Sequence, residues 1–294
     1  MVETRPTYFF KYVTAQVAHL VLQNRTLRWS TPGLLNDPFD IQFDLHLEVD
    51  RDKLRSLAKE KRLAAVFGPS YTPHPANKAG AAIVMFRQHP KKPSREEFER
   101  KMDSSPDQSL ENVIAHLPEE QRKTREILAK TKILCLSAIG DSLPMWSYYA
   151  ENHQGAVLRF KSVGMDSIYS MAKPIIYTEQ MPRLFDEEEL SNIMTGTAIT
   201  DYEKMLAQLV YTKAKGWEHE QEWRLHLGPG PAPDDPFTYL RFDALELDAV
   251  ILGCTMTSDC RMSLRDLASR LYPQTKVLQA AKATHEFKLA IPEV

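Results

Sequence analysis

The chain holds three cysteines, Cys135, Cys254 and Cys260, among 294 residues. They are odd in number, widely spaced and show no C-x-x-C pair. That excludes a disulfide frame and a cysteine-based structural zinc site, and it predicts buried thiols in a reducing compartment, the cytoplasm. Glycine is sparse, at 11 residues. None falls in a G-x-G-x-x-G, G-x-x-x-x-G-K-[ST] or G-x-S-x-G arrangement, so the dinucleotide fingerprint, the P-loop and the nucleophile elbow are all missing. His219-Glu220 lacks the second histidine of H-E-x-x-H, and no metal is expected. No apolar run approaches the roughly 18 residues of a membrane helix. Met1 to Lys11 has no apolar stretch behind a basic start, so neither a membrane partner nor a leader is expected. Neither sign of charge dominates, with 37 basic against 39 acidic residues. This gives no global reason to expect nucleic acid.

A hydrophobic fraction of 43% and a charged fraction of 26% describe an ordinary globular protein. Tyr8 to Val13 predicts a strand. Thr14 caps a following helix with Val17, Leu20, Val21 and Asn24 on one mostly apolar face. Leu27 to Ser30 is a short strand, and Asp50 starts another helix. Residues 69–132 predict a charged helical insertion, because Arg87 to Lys132 carries both signs of charge and few large apolar residues. Further strands are predicted at Ile133–Ala138, Gly155–Phe160, Pro174–Thr178, Phe237–Phe242, Leu247–Gly253, Thr275–Gln279 and His285–Ile291. A helix capped by Ser258 or Asp259 precedes Pro273. Strands outnumber helices without alternating regularly. The expectation is therefore α+β: one domain over 1–294, with a mixed, mostly antiparallel split sheet flanked by helices.

Trp217 to Arg224 reads W-E-H-E-Q-E-W-R, the most informative stretch of the chain. From Gln221 the pattern alternates, with Trp223, Leu225 and Leu227 on one face and Glu222, Arg224 and His226 on the other. Glu220 extends the polar row if the strand begins that early. Such a strand either walls a polar cleft or turns a solvated face outward. Met145 to Gly155 is M-W-S-Y-Y-A-E-N-H-Q-G, a short helix whose aromatics fill a core or stack on a planar ring. Asn36-Asp37-Pro38-Phe39 is turn chemistry. Its acids could also join Glu220 and Glu222 on a divalent metal, as in a nuclease. Cys135 lies in an apolar strand and reads as a core thiol rather than a nucleophile.

In fixed order come F-K-Y, L-R-W-S-T-P-G-L-L-N-D-P-F-D, C-L-S, M-W-S-Y-Y-A-E-N-H-Q-G-A-V-L-R-F and W-E-H-E-Q-E-W-R-L. This resembles a widespread bacterial family known as a domain of unknown function (number two-nine-seven-one), from about Tyr8 to the C-terminus. The order also resembles ADP-ribosyltransferases of the diphtheria/cholera-toxin type. That second resemblance implies a split-sheet transferase fold and NAD as substrate. It further implies an unknown protein or nucleic-acid acceptor, or hydrolysis, and a toxin or phage-defence setting. It places Lys11, beside Tyr12, where the family has Arg or His. Ser30-Thr31, or alternatively Ser137, takes the Ser/Thr position. Glu220 and Glu222 take the E-x-E, with Glu222 catalytic. Trp146 or Tyr148 would stack on nicotinamide, and Arg224 would pair with Glu222 or with phosphate. The alternative is a nucleotide- or partner-binding module of the same family without turnover.

Overall fold

The computed structural model describes residues 5–104, 108–164, 166–230 and 232–292. In chain order the elements are β1 (Tyr8–Val13), α1 (Ala15–Asn24), β2 (Thr26–Ser30), α2 (Arg51–Phe67), α3 (Lys78–Gln88), α4 (Arg95–Ser104) and α5 (Gln108–Lys130). Then come β3 (Lys132–Ser137), α6 (Leu143–Tyr149), β4 (Ala156–Lys161), β5 (Lys173–Pro174), β6 (Ile176–Thr178), α7 (Glu187–Met194), α8 (Tyr202–Val210) and β7 (Thr212–Ala214). The chain ends with β8 (Glu222–Leu227), β9 (Phe237–Arg241), β10 (Leu247–Leu252), α9 (Ser258–Leu271), β11 (Lys276–Gln279), β12 (Ala281–Lys282) and β13 (Leu289–Ala290). They form two compact units. One comprises Met1–Gln42, Glu126–Gln180 and Val210–Val294; the other comprises Phe43–Arg125 and Met181–Leu209. The second unit does not coincide with the insertion expected over 69–132: it starts at Phe43, leaves that segment at Arg125 and adds Met181–Leu209. Helices α3, α4 and α5 fall within 69–132, and residues 105–107 lie outside the described residues.

The first unit is a mixed α/β structure around a mostly antiparallel open sheet of order β11-β10-β4-β1-β3-β2-β9, with β8 and then β5 joined to β3. Within this sheet only β10 and β11 pair in parallel. Period-two alternation sorts the strands' side chains. Phe9, Val13, Leu27, Trp29, Leu134, Leu136, Trp223 and Leu225 enter one core with Ala18, Val21 and Leu22 of α1 and Leu264, Leu267 and Ala268 of α9. The opposite face packs Tyr12, Val157, Ala249 and Ile251 against Met145 and Trp146 of α6.

The sheet is splayed at β3. One edge of this strand pairs with β8 along its whole length. On the other edge, β1 registers with it at Phe10–Ser137 and β2 at Ser30–Ile133. The middle of that edge is left open between them. An unpaired carbonyl in such a gap needs a donor, and Lys11 Nζ supplies it to Cys135 O at 2.8 Å. Gly155 lets β4 start close to β1, because a Cβ there would lie 2.3 Å from Val13 O.

Several boundaries differ from expectation. Thr257, not Ser258 or Asp259, caps α9 by accepting from Cys260 N. The strand expected over His285–Ile291 is reduced to β13, which pairs with the equally short β12 before it. Pro174–Thr178 divides into β5 and β6, which pair with different strands. Cys260 is exposed and Cys135 and Cys254 are half-buried, so the thiols are not uniformly core groups.

The second unit is helical. Leu54 and Ala58 of α2, Leu190 and Met194 of α7 and Leu110 of α5 form its core. Asp50 caps α2 through Asp52 N and Lys53 N, and its own N–H donates to Glu187 at 2.9 Å.

Candidate functional site

A cavity of about 630 Å³ opens at the split in the sheet. Its α1 side is apolar, formed by Val17, Leu20 and Val21. These residues belong to the mostly apolar face that the helical period predicts for this helix. In the structure Ala18, Val21 and Leu22 are buried, while Val17 and Leu20 stay partly exposed at the cavity. The polar lining comes from β2, β3, α6, β7, β8 and the turns beside them, with Ser30, Cys135, Ser137, Asp40, Tyr149, Lys213, Glu220 and Glu222.

Behind that lining lies a buried charge cluster centred on Arg224, which is fully inaccessible to solvent. All five guanidinium N–H groups are used. Two form a fork onto Asp40, at 2.8 Å to Oδ1 and 2.6 Å to Oδ2. Nε donates to Glu222 Oε1 at 2.5 Å and Nη2 to Glu222 Oε2 at 2.9 Å. The fifth reaches Val210 O at 2.8 Å. Lys213 Nζ donates to Glu222 Oε2 at 2.9 Å and to Glu220 Oε2, and it lies 3.5 Å from Asp40 Oδ2. Its ammonium also sits 5.1 Å from the centre of the Trp217 ring. Burying a charge costs several kcal/mol unless it is paired, and these groups offset that cost for one another.

The local backbone explains how the glutamates reach the site. Lys215–Glu220 forms a 3-10 turn that ends at Gln221 in the left-handed region, with φ 42°. The strand therefore begins at Glu222, and Glu220 belongs to the turn rather than to the polar row. Ser137 Oγ fixes the turn by donating to Glu220 O at 2.6 Å. Tyr177 Oη accepts from Glu222 N at 2.7 Å. Beside Asp40, Ile41 is a buried β-branched residue at φ 63°, a strained conformation that the packing holds in place.

The two carboxyls are driven apart in pKa. For Glu222, burial works against the charge. Arg224 and Lys213 outweigh it and hold the group well below the usual carboxylate range. For Glu220, burial dominates and the neighbouring Glu222 adds to it, so its pKa is raised despite Lys213 and the hydrogen bond from Tyr149. That bond, from Tyr149 Oη to Glu220 Oε1, is 2.6 Å, and Asn36 Nδ2 donates to Tyr149 Oη at 2.8 Å. Burial lowers the pKa of Lys11, and it raises that of Cys135 to about 12, which leaves Cys135 a thiol rather than a nucleophile.

The structure brings Lys11, Tyr12, Ser30, Glu220 and Glu222 to one cavity wall. Four other predicted residues are placed elsewhere. Trp146 is fully buried, with Nε1 donating to Gly140 O at 2.9 Å, so it cannot stack on a ligand. Tyr148 is 68% exposed and outside the lining; Tyr149 takes the cavity position. Thr31 is buried, with its N–H bonded to Pro236 O. Arg224 is enclosed by carboxylates and cannot also hold phosphate. The polar face of β8 is buried at Glu222 and Arg224, which removes the solvated-face reading for those positions. Asp37 caps its own turn by accepting from Phe39 N at 2.9 Å and does not join the glutamates. Among the described residues no group of three or more His, Cys, Asp or Glu side chains is arranged to hold a metal ion. Asp40, Lys213 and Tyr149 were missed. Their residue types were visible, but nothing in the spacing joins Asp40 to Arg224 across 184 positions.

The fold and site define a mixed α/β protein with a charged cavity opened within a mostly antiparallel sheet. Residues 145–225 match the model of the family described as "Protein of unknown function (DUF2971)". That span is narrower than the resemblance from Tyr8 onward, yet it carries Tyr149, Lys213, Glu220, Glu222 and Arg224. No curated protein and no solved structure matches the chain.

Proposed function

We propose that the cavity binds NAD and cleaves its nicotinamide–ribose bond, passing ADP-ribose to a macromolecular acceptor or to water. The observation that carries this reading is the meeting of Lys11, Ser30, Glu220 and Glu222 on one cavity wall at the split of the sheet. Asp40, Glu220 and Glu222 all present carboxylates to the cavity lining. Such a wall suits a positive centre, first the pyridinium ring and then the oxocarbenium ion formed as the bond breaks. Nicotinamide leaves with the bonding electron pair. The acceptor hydroxyl attacks the anomeric carbon, and its proton passes to Glu220, whose raised pKa suits a base. Glu222, kept ionised, stabilises the developing charge.

The test is nicotinamide release from labelled NAD in the presence of cell extract. Glu222→Gln is expected to lower the rate about 100-fold or more, the order seen when a preorganised electrostatic group is lost. Turnover that is absent, or equal in the two proteins, would end the reading. A second reading has its own support: the Glu222 oxygens are already held by Arg224 and Lys213. On that reading the cavity binds a nucleotide without turning it over. Thermal stabilisation by nucleotides with no nicotinamide release would favour it.

A further inference from the structure

We propose that Arg28 forms, with Lys11, the anion-holding side of the cavity and receives the diphosphate of the bound nucleotide; this rests on the nucleotide reading above. In β2 the alternation sends Leu27 and Trp29 into the core, so Arg28 and Ser30 turn to the opposite face, and both line the cavity. The cross-strand neighbour of Arg28 is Tyr239, which is 57% exposed and lines the same cavity. The guanidinium lies 5.7 Å from the centre of the Phe237 ring. That contact orients the side chain while leaving its N–H donors free of carboxylates.

Compensation distinguishes these two cations from Lys213 on the cavity lining and Arg224 behind it. Lys213 and Arg224 are enclosed by three carboxylates. Lys11 donates to a backbone carbonyl, and Arg28 rests on a ring; among the described residues neither forms an ion pair. Burial lowers the Lys11 pKa, and the charge of Arg28 lowers it further, against the upward pull of Cys135 and the glutamates. Two like charges facing one cavity repel each other until an anion arrives. The cavity thus carries two carboxylates, Glu220 and Glu222, and two cations outside any ion pair, Lys11 and Arg28. NAD has the matching charges, a cationic pyridinium joined through ribose to an anionic diphosphate. Arginine suits the phosphate role because its planar fork binds two oxygens at once.

Titration calorimetry with ADP-ribose, inorganic pyrophosphate and adenosine tests the assignment on wild type, Arg28→Gln and Arg28→Lys. Arg28 is exposed, so the fold should survive, and melting temperatures check that it does. Arg28→Gln is expected to weaken ADP-ribose and pyrophosphate about 10-fold or more, as loss of a charge-assisted contact does. It should leave adenosine unchanged and flatten the salt dependence, and Arg28→Lys should recover part of the loss. Equal ADP-ribose affinity in wild type and Arg28→Gln overturns the proposal, as does an adenosine loss as large as the ADP-ribose loss. Failure of wild type to bind either ADP-ribose or pyrophosphate also overturns it. Arg28-dependent binding without nicotinamide release sinks the transferase reading alone. Release with Arg28-independent binding sinks this assignment alone.

Discussion

Arg224 shows what single residues decide in this protein. Its five donors are matched by Asp40, Glu222 and one carbonyl, so removing one partner strands a charge in a dry place. Asp40→Ala is expected to cost about 3–5 kcal/mol of unfolding free energy, measured by urea titration. Lys11→Met should cost less, about 1–3 kcal/mol, because it only deprives the Cys135 carbonyl of a donor. A reversed order would show that the cluster is not where stability is concentrated. The sequence displayed the charges but not their partners. Glu222 and Arg224 could be paired by their shared strand face, whereas Asp40 arrives through the strained Ile41 turn, which no periodicity encodes.

Among the elements, the turn into β8 and the helix α1 diverge most from their sequence patterns. The alternation from Gln221 is real, but the strand starts one residue later because Gln221 is left-handed. A β-branched residue there meets a steric cost of about 1–2 kcal/mol, which glycine avoids. Gln221→Val should therefore lower the melting temperature while Gln221→Gly leaves it near wild type; equal effects would argue against a conformational origin. On α1, the pattern of Val17, Leu20, Val21 and Asn24 correctly marked a special face, but that face borders the cavity. An apolar period reports that a face avoids water. It does not say whether core or ligand covers it. The cap on α9 was misplaced by one residue or more for the same kind of reason. Thr257, Ser258 and Asp259 are all competent caps, and only the backbone path chooses among them.

For the molecule as a whole, the buried cluster couples folding to pH. Glu222 titrates below its unfolded value of 4.5, so its contribution is present above that pH and is lost as pH falls through its folded value. Glu220, with a raised pKa, works in the opposite direction, since its desolvation penalty is relieved as it takes a proton. Melting temperatures measured from pH 7 downward should decline below about pH 4.5, and the decline should be shallower in Glu222→Gln. An equal slope in both proteins would place acid sensitivity elsewhere. The sequence by itself determined most of the strands and helices and that strands dominate the second half, and it marked the tryptophan-flanked octapeptide as either a cleft wall or a solvated face. These follow from local sterics and from burial periodicity, which act over a few residues. Tertiary structure alone decided where β1 and β2 part along β3, that Asp40 and Lys213 complete the cluster, and that Tyr149 rather than Trp146 faces the cavity. Those outcomes depend on strand order and on pairing charges far apart in the chain, and low-dielectric burial makes such pairing obligatory without encoding it in any local pattern.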